Sequence, residues 1–281
     1  MSIDLRCCGA EELIASLEPG SVAGVIADPP WTYDSARTGG RGKSGPAHLY
    51  PVLGVPEIAE TLMSTAAVVG SDAYLAVWCT WPKLADWFAV GVSRPWSYLT
   101  GGSWGKSGAG GYAGPNGYGM GYHFRGRSEP LLLHRKGRPR PLGGPTPNLW
   151  LHPRLGHSEK PPNALDALVL MMAPPGGLIL DPYAGESASL ARCCARLGRG
   201  YVGAEIDPER HARALRRLAG ESAAQSRMRN QTSMFGAEVM PAPGTEVEPL
   251  PGYGYGMGRP PERMTDDEQA AVMRRLRKAG E

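Results

Sequence analysis

The segment GLILDPYAGESASLARCCARLGRGYVGAEIDP, residues 177–208, carries the pattern that decides the fold. It contains two short apolar runs typical of buried strands, at 177–181 and 201–205. A helical pattern over 187–196 separates them. A strand, a helix and a strand in this order predict a pair of parallel neighbouring strands joined by a crossover helix.

The same alternation extends outward from this unit. Helical patterns precede it at 164–172 and follow it from Pro208 onward. Nearer the N-terminus, VAGVIAD (22–28) and AYLAVWC (73–79) are brief apolar runs bounded by turn residues, as buried strands are. The sequence therefore predicts an α/β protein with a mostly parallel, doubly wound sheet.

Three regions differ in composition. Residues 1–220 hold the α/β pattern, but about 101–156 form a Gly-rich insertion, with ten glycines within 101–121. We expect a long loop there, interrupted by one strand near 130–133. Residues 221–281 read as a Pro/Gly-rich linker followed by a charged helical tail, which we expect to be flexible.

Composition excludes several classes of protein. The chain has 281 residues and a net charge of +3, so it can bury a large core but has no global cationic field. Its five cysteines include two adjacent pairs, a spacing that fits neither a disulfide framework nor a zinc site. We find no signal peptide and no apolar run long enough to span a bilayer, and expect a cytoplasmic protein without a metal.

The tetrapeptide Asp28-Pro29-Pro30-Trp31 follows a predicted strand, at the edge of the sheet where ligands of open α/β folds bind. An adenine amine is a poor nucleophile because its lone pair is delocalised into the ring. The Asp28 carboxylate and the Pro29 carbonyl are two acceptors suited to its two hydrogens, and the prolines fix the backbone. Trp31 offers a face on which a base can stack. The alternative is a simple strand-to-loop turn.

A second motif has the same placement. Asp181-Pro182-Tyr183-Ala184-Gly185 lies between a predicted strand and a helix, where backbone groups can approach a nucleotide-like cofactor. Glu205 ends the next strand, at the spacing expected of an acid that binds ribose hydroxyls. The two motifs together predict a cofactor site beside Asp28. We include Asp28 itself among the expected cofactor contacts.

Between these motifs lies His157-Ser158-Glu159-Lys160, directly before a helix. Ser158 and Lys160 can offer a hydroxyl and an ammonium to the carboxylate of an amino-acid-like cofactor, and His157 joins them as a candidate. The alternative is a helix-starting loop with a solvated lysine.

Other prominent side chains have simpler interpretations. We expect core packing for Cys193 and Cys194 and for four tryptophans, Trp78, Trp81, Trp87 and Trp96. A basic run beside the Gly-rich segment is either a solvated face or a phosphate-binding surface opposite the base pocket. Its members are Arg125, Arg127, Arg135, Lys136 and Arg138.

Residues 1 to about 218 resemble the S-adenosylmethionine-dependent N6-adenine methyltransferases with a DPPW motif. This family includes phage and bacterial DNA adenine methyltransferases and the catalytic subunit of the messenger-RNA N6-adenosine methyltransferase. The resemblance rests on DPPW at 28–31, Tyr50-Pro51, Val77-Trp78, GYGMGYHFRGRSEPLLLHRKG at 117–137, HSEKP at 157–161, DPYAG at 181–185 and GAEIDP at 203–208.

The resemblance implies a Rossmann-like methyltransferase fold with the circularly permuted motif order of the beta group, catalytic motif first and cofactor motif last. In that order DLRCC (4–8) supplies the strand that completes the cofactor half. Two departures are visible. Glu186-Ser187 stands where the family usually has a second glycine, and Leu49 separates His48 from Tyr50, so His48 is not included in the site.

The expected reaction is transfer of the methyl group of S-adenosylmethionine to the N6 amine of adenine in nucleic acid, with DNA favoured over RNA. Tyr50, Arg125 and Arg127 are the expected substrate contacts. The alternatives are RNA N6-adenosine methylation, N4-cytosine methylation, which the family usually marks with Ser in place of Asp28, and a catalytically silent nucleic-acid-binding partner.

Overall fold

The computed structural model describes residues 2–32, 52–90, 93–106, 123–124, 126–154 and 159–220. Its first half contains β1 (Ile3–Arg6), α1 (Ala10–Ala15), β2 (Val22–Ala27), α2 (Val55–Ser64), β3 (Val69–Trp78) and α3 (Leu84–Val90). Its second half contains β4 (Ser97–Lys106), β5 (Ser128–Lys136), β6 (Leu149–His152), α4 (Pro162–Met172), β7 (Leu178–Asp181), α5 (Ser189–Leu197), β8 (Gly200–Ala204) and the helical residues 208–220, named α6.

The eight strands form one sheet in the order β1-β8-β7-β2-β3-β5-β4-β6. The first five are parallel to one another, β5 runs antiparallel to both β3 and β4, and β6 is parallel to β4. The predicted mostly parallel α/β sheet is confirmed. So is the place of the N-terminal strand, because β1 pairs with β8.

Helices cover the sheet because the strands are apolar on both faces. Five of the six residues of β2 are buried, and β7 and β8 are buried along most of their length. Gly24 in β2 lets α4 pack closely, since a Cβ atom there would lie 2.9 Å from Cβ of Met172. Cys193 and Cys194 on α5 are buried, as predicted, in the core between α4, α5 and the sheet.

The segment 101–156 contributes more to the sheet than predicted. The expected strand near 130–133 is the middle of β5, but most of β4 and all of β6 also fall in this segment. The glycines and aromatics of β4 are typical of a loop when only the sequence is considered. In the structure, however, Trp104 is buried and Gly102 packs against the Trp150 ring. Residues 107–122 lie outside the described part of the chain, as does the predicted tail 221–281.

The tryptophan prediction is confirmed for three of four positions. Trp78, Trp87 and Trp96 are each 1% exposed. Trp81 is 52% exposed, so its assignment to the core is wrong. It lies on the short 3-10 helix Trp81–Lys83 just after β3, where its indole N–H donates to the Ser128 carbonyl and hydroxyl at 3.2 and 3.0 Å.

No described helix combines the length and the apolar character that crossing a membrane requires. Within the described ranges, no three or more His, Cys, Asp and Glu side chains converge as a metal site would need.

Candidate active site

A cavity of about 780 Å³ opens at the carboxyl ends of β2, β3, β7 and β8. This is the sheet edge at which ligands of open α/β folds bind. The cavity brings together the first motif and the cofactor motif, which are far apart in sequence. Its lining includes Asp28, Pro29, Pro30, Trp31, Trp78, Glu129, Lys160, Asp181, Pro182, Tyr183, Gly185 and Glu205.

The loop after β2 is held by backbone hydrogen bonds to a single partner residue. The Leu53 N–H donates to the Pro30 carbonyl at 2.8 Å, and the Thr32 N–H donates to the Leu53 carbonyl at 3.0 Å. The Trp31 N–H donates to the Pro29 carbonyl at 3.0 Å. Because a carbonyl oxygen has two lone pairs, Pro29 keeps one acceptor site for a substrate amine.

Trp31 lines the cavity but is only 4% exposed. Its indole N–H donates to the Trp78 carbonyl at 3.0 Å, and its ring meets Trp87 edge-on at 5.7 Å between centroids. These contacts bury the side chain in the core beneath the loop. The expected open stacking face is therefore not observed, and the contacts indicate that Trp31 anchors the loop.

Asp181 ends β7 and is 5% exposed. Its Oδ1 accepts the Tyr183 N–H at 3.2 Å, and its Oδ2 accepts the Tyr201 hydroxyl at 3.1 Å. These bonds fold the loop back over the strand end, and Gly185 completes the turn at φ +66°, in the left-handed region that favours glycine. Burial raises the pKa of Asp181 to about 7, although both hydrogen bonds act in the opposite direction.

This raised pKa predicts the pH dependence of stability for Asp181→Asn. A carboxyl whose pKa is raised by folding costs stability as pH rises from its unfolded to its folded pKa. Asparagine carries no such cost, so the stability of the variant relative to wild type should increase by about 2–3 kcal/mol between pH 5 and pH 8. Urea unfolding at both pH values measures it, and a constant difference would contradict the assignment.

Glu205 follows β8 and is 9% exposed at the cavity. Its Oε1 accepts the Asp207 N–H at 3.0 Å, and its Oε2 lies 3.5 Å from Nε of Arg210. Asp207 has the capping role predicted for it, because its Oδ1 accepts the N–H groups of Glu209 and Arg210 at the start of α6. Asp207 therefore caps α6, whereas Glu205 lines the cavity.

Lys160 does not extend into the cavity as a solitary ammonium. Its Nζ lies 2.5 Å from Oδ2 of Asp28 and 3.5 Å from Oε2 of Glu129. The expectation that Lys160 receives a cofactor carboxylate is therefore not supported. Its ammonium instead pairs with Asp28 and Glu129, two acidic side chains that line the cavity.

Glu129 is the functional candidate that sequence reasoning missed. It lies at the start of β5, and Lys106 at the end of β4 contacts its Oε1 at 2.5 Å. The apolar run after Glu129 signals a strand, but not the direction of that strand. Only the antiparallel pairing of β5 with β3 places this end beside the carboxyl end of β3 and so beside Asp28.

For Lys160, Glu129 and Asp28, burial and the neighbouring opposite charges act on the pKa in opposite directions. Burial opposes the charge of Lys160, but Asp28 and Glu129 together raise its pKa above the ordinary value. Burial also opposes ionisation of Glu129, but Lys160 and Lys106 lower its pKa. Burial raises the pKa of Asp28, and the adjacent Lys160 acts in the opposite direction.

The basic run is divided between two edges of the sheet. Arg127 directly precedes β5 and lies at the cavity edge, whereas Arg135, Lys136 and Arg138 lie at the opposite edge. Lys136 is committed to structure, because its Nζ donates to the carbonyls of Ala66 and Val69. The expectation that the whole run faces the base pocket is therefore wrong for its last three members.

Four candidate residues, Tyr50, Arg125, His157 and Ser158, lie outside the described residues, so their predicted roles stay predictions.

The described lining fits an adenosyl cofactor. The cavity volume is within the range of small-molecule sites. A tight turn at Gly185 and an almost buried carboxylate at Glu205 lie on neighbouring strand ends, as a nucleoside with two ribose hydroxyls requires.

The strand order and the position of the cavity define a Rossmann-like α/β fold. The Thermus thermophilus protein TTHA0409 complexed with S-adenosyl-L-methionine has a similar fold: TM-score 0.58, 21% identity, 78% of this chain and 93% of that one. So does the PvuII DNA methyltransferase described as cytosine-N4-specific, with TM-score 0.53, 12% identity, 76% of this chain and 85% of that one.

Residues 118–216 match the N6/N4 family described as DNA methylase, which confirms the family resemblance for that segment. The DNA adenine methyltransferase YhdJ of Escherichia coli K12 is 32% identical over 104 residues. These residues cover 33% of this chain and 35% of YhdJ, so the match spans about a third of that relative. The first motif, at 28–31, lies outside the family match.

Proposed function

We propose that this chain transfers the methyl group of S-adenosylmethionine to the exocyclic N6 amine of adenine in nucleic acid, DNA in preference to RNA. One observation carries the proposal. The Asp28-Pro29-Pro30 loop and the Asp181–Gly185 loop, which are distant in sequence, line one cavity together with Glu205.

The protein's part in the reaction is to position the amine. Asp28 keeps 33% of its side chain exposed and lines the cavity. Its carboxylate accepts one hydrogen of the amine and the Pro29 carbonyl accepts the other, which turns the lone pair out of the ring plane. An aspartate at position 28, where N4-cytosine enzymes usually have serine, favours adenine.

The cofactor supplies an electrophilic methyl group on a sulfonium. Glu205 would accept hydrogen bonds from the ribose hydroxyls of the bound cofactor, and the turn at Gly185 would let backbone groups approach it. Transfer would form the bond from N6 to the methyl carbon as the S–C bond breaks, leaving a neutral thioether, and one amine proton would be released to solvent. Since the sulfonium is positive and the amine neutral, charge would disperse during transfer. The site therefore needs mainly orientation and exclusion of water. A base in a duplex must leave the stack to reach the cavity.

Radiolabelled S-adenosylmethionine with matched DNA and RNA pools, followed by nucleoside analysis, tests the proposal. We expect the label in N6-methyladenine and mainly in DNA. Label in N4-methylcytosine, or predominantly in RNA, would replace the proposed substrate with one of the alternatives. Absence of any label, with cofactor binding verified by calorimetry, would reject the enzymatic function.

Two arginines provide matched variants that test nucleic-acid contact: Arg127, directly before β5, and Arg135, near the other end of β5. Arg127→Ala, at the cavity edge, should weaken DNA binding and reduce the slope of log K against log salt by about 0.9, the value for one phosphate contact in B-DNA. Arg135→Ala, at the opposite edge and exposed, should leave affinity and slope unchanged. Equal effects of the two variants in a fluorescence titration would contradict the assignment.

A further inference from the structure

Four charged side chains of alternating sign form a row, and three of them, Asp28, Lys160 and Glu129, line the cavity. Nζ of Lys106 lies 2.5 Å from Oε1 of Glu129, and the other oxygen of Glu129 lies 3.5 Å from Nζ of Lys160. Nζ of Lys160 in turn lies 2.5 Å from Oδ2 of Asp28. The chain of contacts runs from β4 through β5 and the segment before α4 to the loop after β2.

An aromatic ring lies beside each of the two ammonium groups of this row. The ammonium of Lys160 lies 5.7 Å from the centroid of the Trp78 ring, and that of Lys106 lies 5.1 Å from the centroid of the Trp104 ring. The side chains of Lys160 and Lys106 are 9% and 12% exposed. Buried charges of this kind are stable only when each has a close partner of opposite sign, so removal of one member redistributes the others.

Glu129 is the one member that contacts both lysines. Its carboxylate attracts the same ammonium as that of Asp28, which lies closer to Lys160. Lys160 contacts Oδ2 of Asp28, and the carboxylate keeps a third of its surface exposed. That exposed surface is what a substrate amine needs as a hydrogen-bond acceptor.

We propose that Glu129 is a positioning residue: it holds Lys160 at the edge of Asp28 and so sets the orientation and the charge of the carboxylate that receives the amine. This inference rests on the proposed methyl transfer and assigns Glu129 no contact with the methyl donor.

The proposal predicts the direction in which the pH profile moves. Asp28 accepts an amine hydrogen only when ionised, so activity falls as pH drops through its pKa. The charged groups that act on Asp28 are Lys160 and Lys106, which lower its pKa, and Glu129, which raises it. Asp181 also interacts with Asp28 across the cavity. Asp181 is present in wild type and in every variant, so its titration contributes to each pH profile alike and does not alter the differences between the profiles.

Glu129→Gln and Lys106→Met therefore form an opposed pair. Loss of the negative charge at position 129 should move the acid limb of kcat to lower pH, and loss of the positive charge at position 106 should move it to higher pH. In Glu129→Gln we also expect kcat on DNA to fall by about 10- to 100-fold, the scale of a small misplacement of a reacting group. KM for S-adenosylmethionine should stay within about threefold, since neither residue is assigned to the cofactor.

The measurement is kcat against pH for wild type, both variants and Glu129→Asp, which keeps the charge and should recover part of the rate. Shifts in the same direction, or no shift in either variant, would overturn the proposal. A raised KM for S-adenosylmethionine with unchanged kcat would also overturn it. If Glu129→Gln does not fold, the upward shift in Lys106→Met decides alone. A wild-type chain without methyl transfer would instead reject the proposed function.

Discussion

Replacing Asp28 by alanine is expected to abolish methyl transfer and to leave the affinity for S-adenosylmethionine within a few-fold of wild type. A preorganised polar contact to the reacting group typically contributes about 10²–10³ in rate, so the loss in kcat should be at least of this size. The fold should survive, because Lys160 keeps Glu129 as a partner when Asp28 is removed.

Asp28→Asn is the matched variant, since it preserves shape and one acceptor oxygen but removes the charge. Its rate should fall between those of wild type and Asp28→Ala. Calorimetric titration with S-adenosylmethionine separates the two functions of the cavity. A collapse of cofactor affinity together with activity would show that Asp28 belongs to the cofactor site instead.

The second large effect is expected at Glu205. Removal of a charged hydrogen-bond acceptor from a desolvated site costs about 1.5–3 kcal/mol. Each 1.4 kcal/mol is a factor of ten in Kd, so Glu205→Ala should weaken S-adenosylmethionine by roughly ten- to a hundredfold. Glu205→Gln should lose less, because its side-chain oxygen can still accept the Asp207 N–H.

Asp207→Ala is the control for Glu205. Its carboxylate caps α6 through two backbone N–H groups, and loss of such a cap lowers the stability of the helix. We expect a lower Tm with little change in cofactor affinity. An affinity loss confined to the Asp207 variant would reverse the two roles and require a new cofactor site.

The parallel half of the sheet could be predicted from local pattern. Its strands are short apolar runs that end in DPPW, DPYAG and GAEIDP, and each of these motifs lies at a strand end in the structure. All three strand-end acids, Asp28, Asp181 and Glu205, line the cavity as expected.

The antiparallel half could not be predicted in the same way. β4 is rich in glycine, so its hydrophobic signal is weak, and its burial comes from the tryptophans at positions 104 and 150. Strand direction decides the chemistry here, because the same strand, β5, places Glu129 in the cavity lining and Arg135 at the opposite edge of the sheet. Direction follows from tertiary pairing and has no local signature in sequence.

The two loops of the cavity follow strands that pair directly, β2 and β7, yet residues 28 and 181 are separated by most of the domain. The pairing of β1 with β8 closes an even longer segment. Such non-local pairings make folding slow, because much chain entropy is lost before the contacts form. The cavity proposed to bind the cofactor forms only after these strand pairings are complete. A ligand that binds there therefore adds its binding free energy to the cooperative stability of the entire parallel sheet, and protects distant strands from unfolding as well as the loops it contacts.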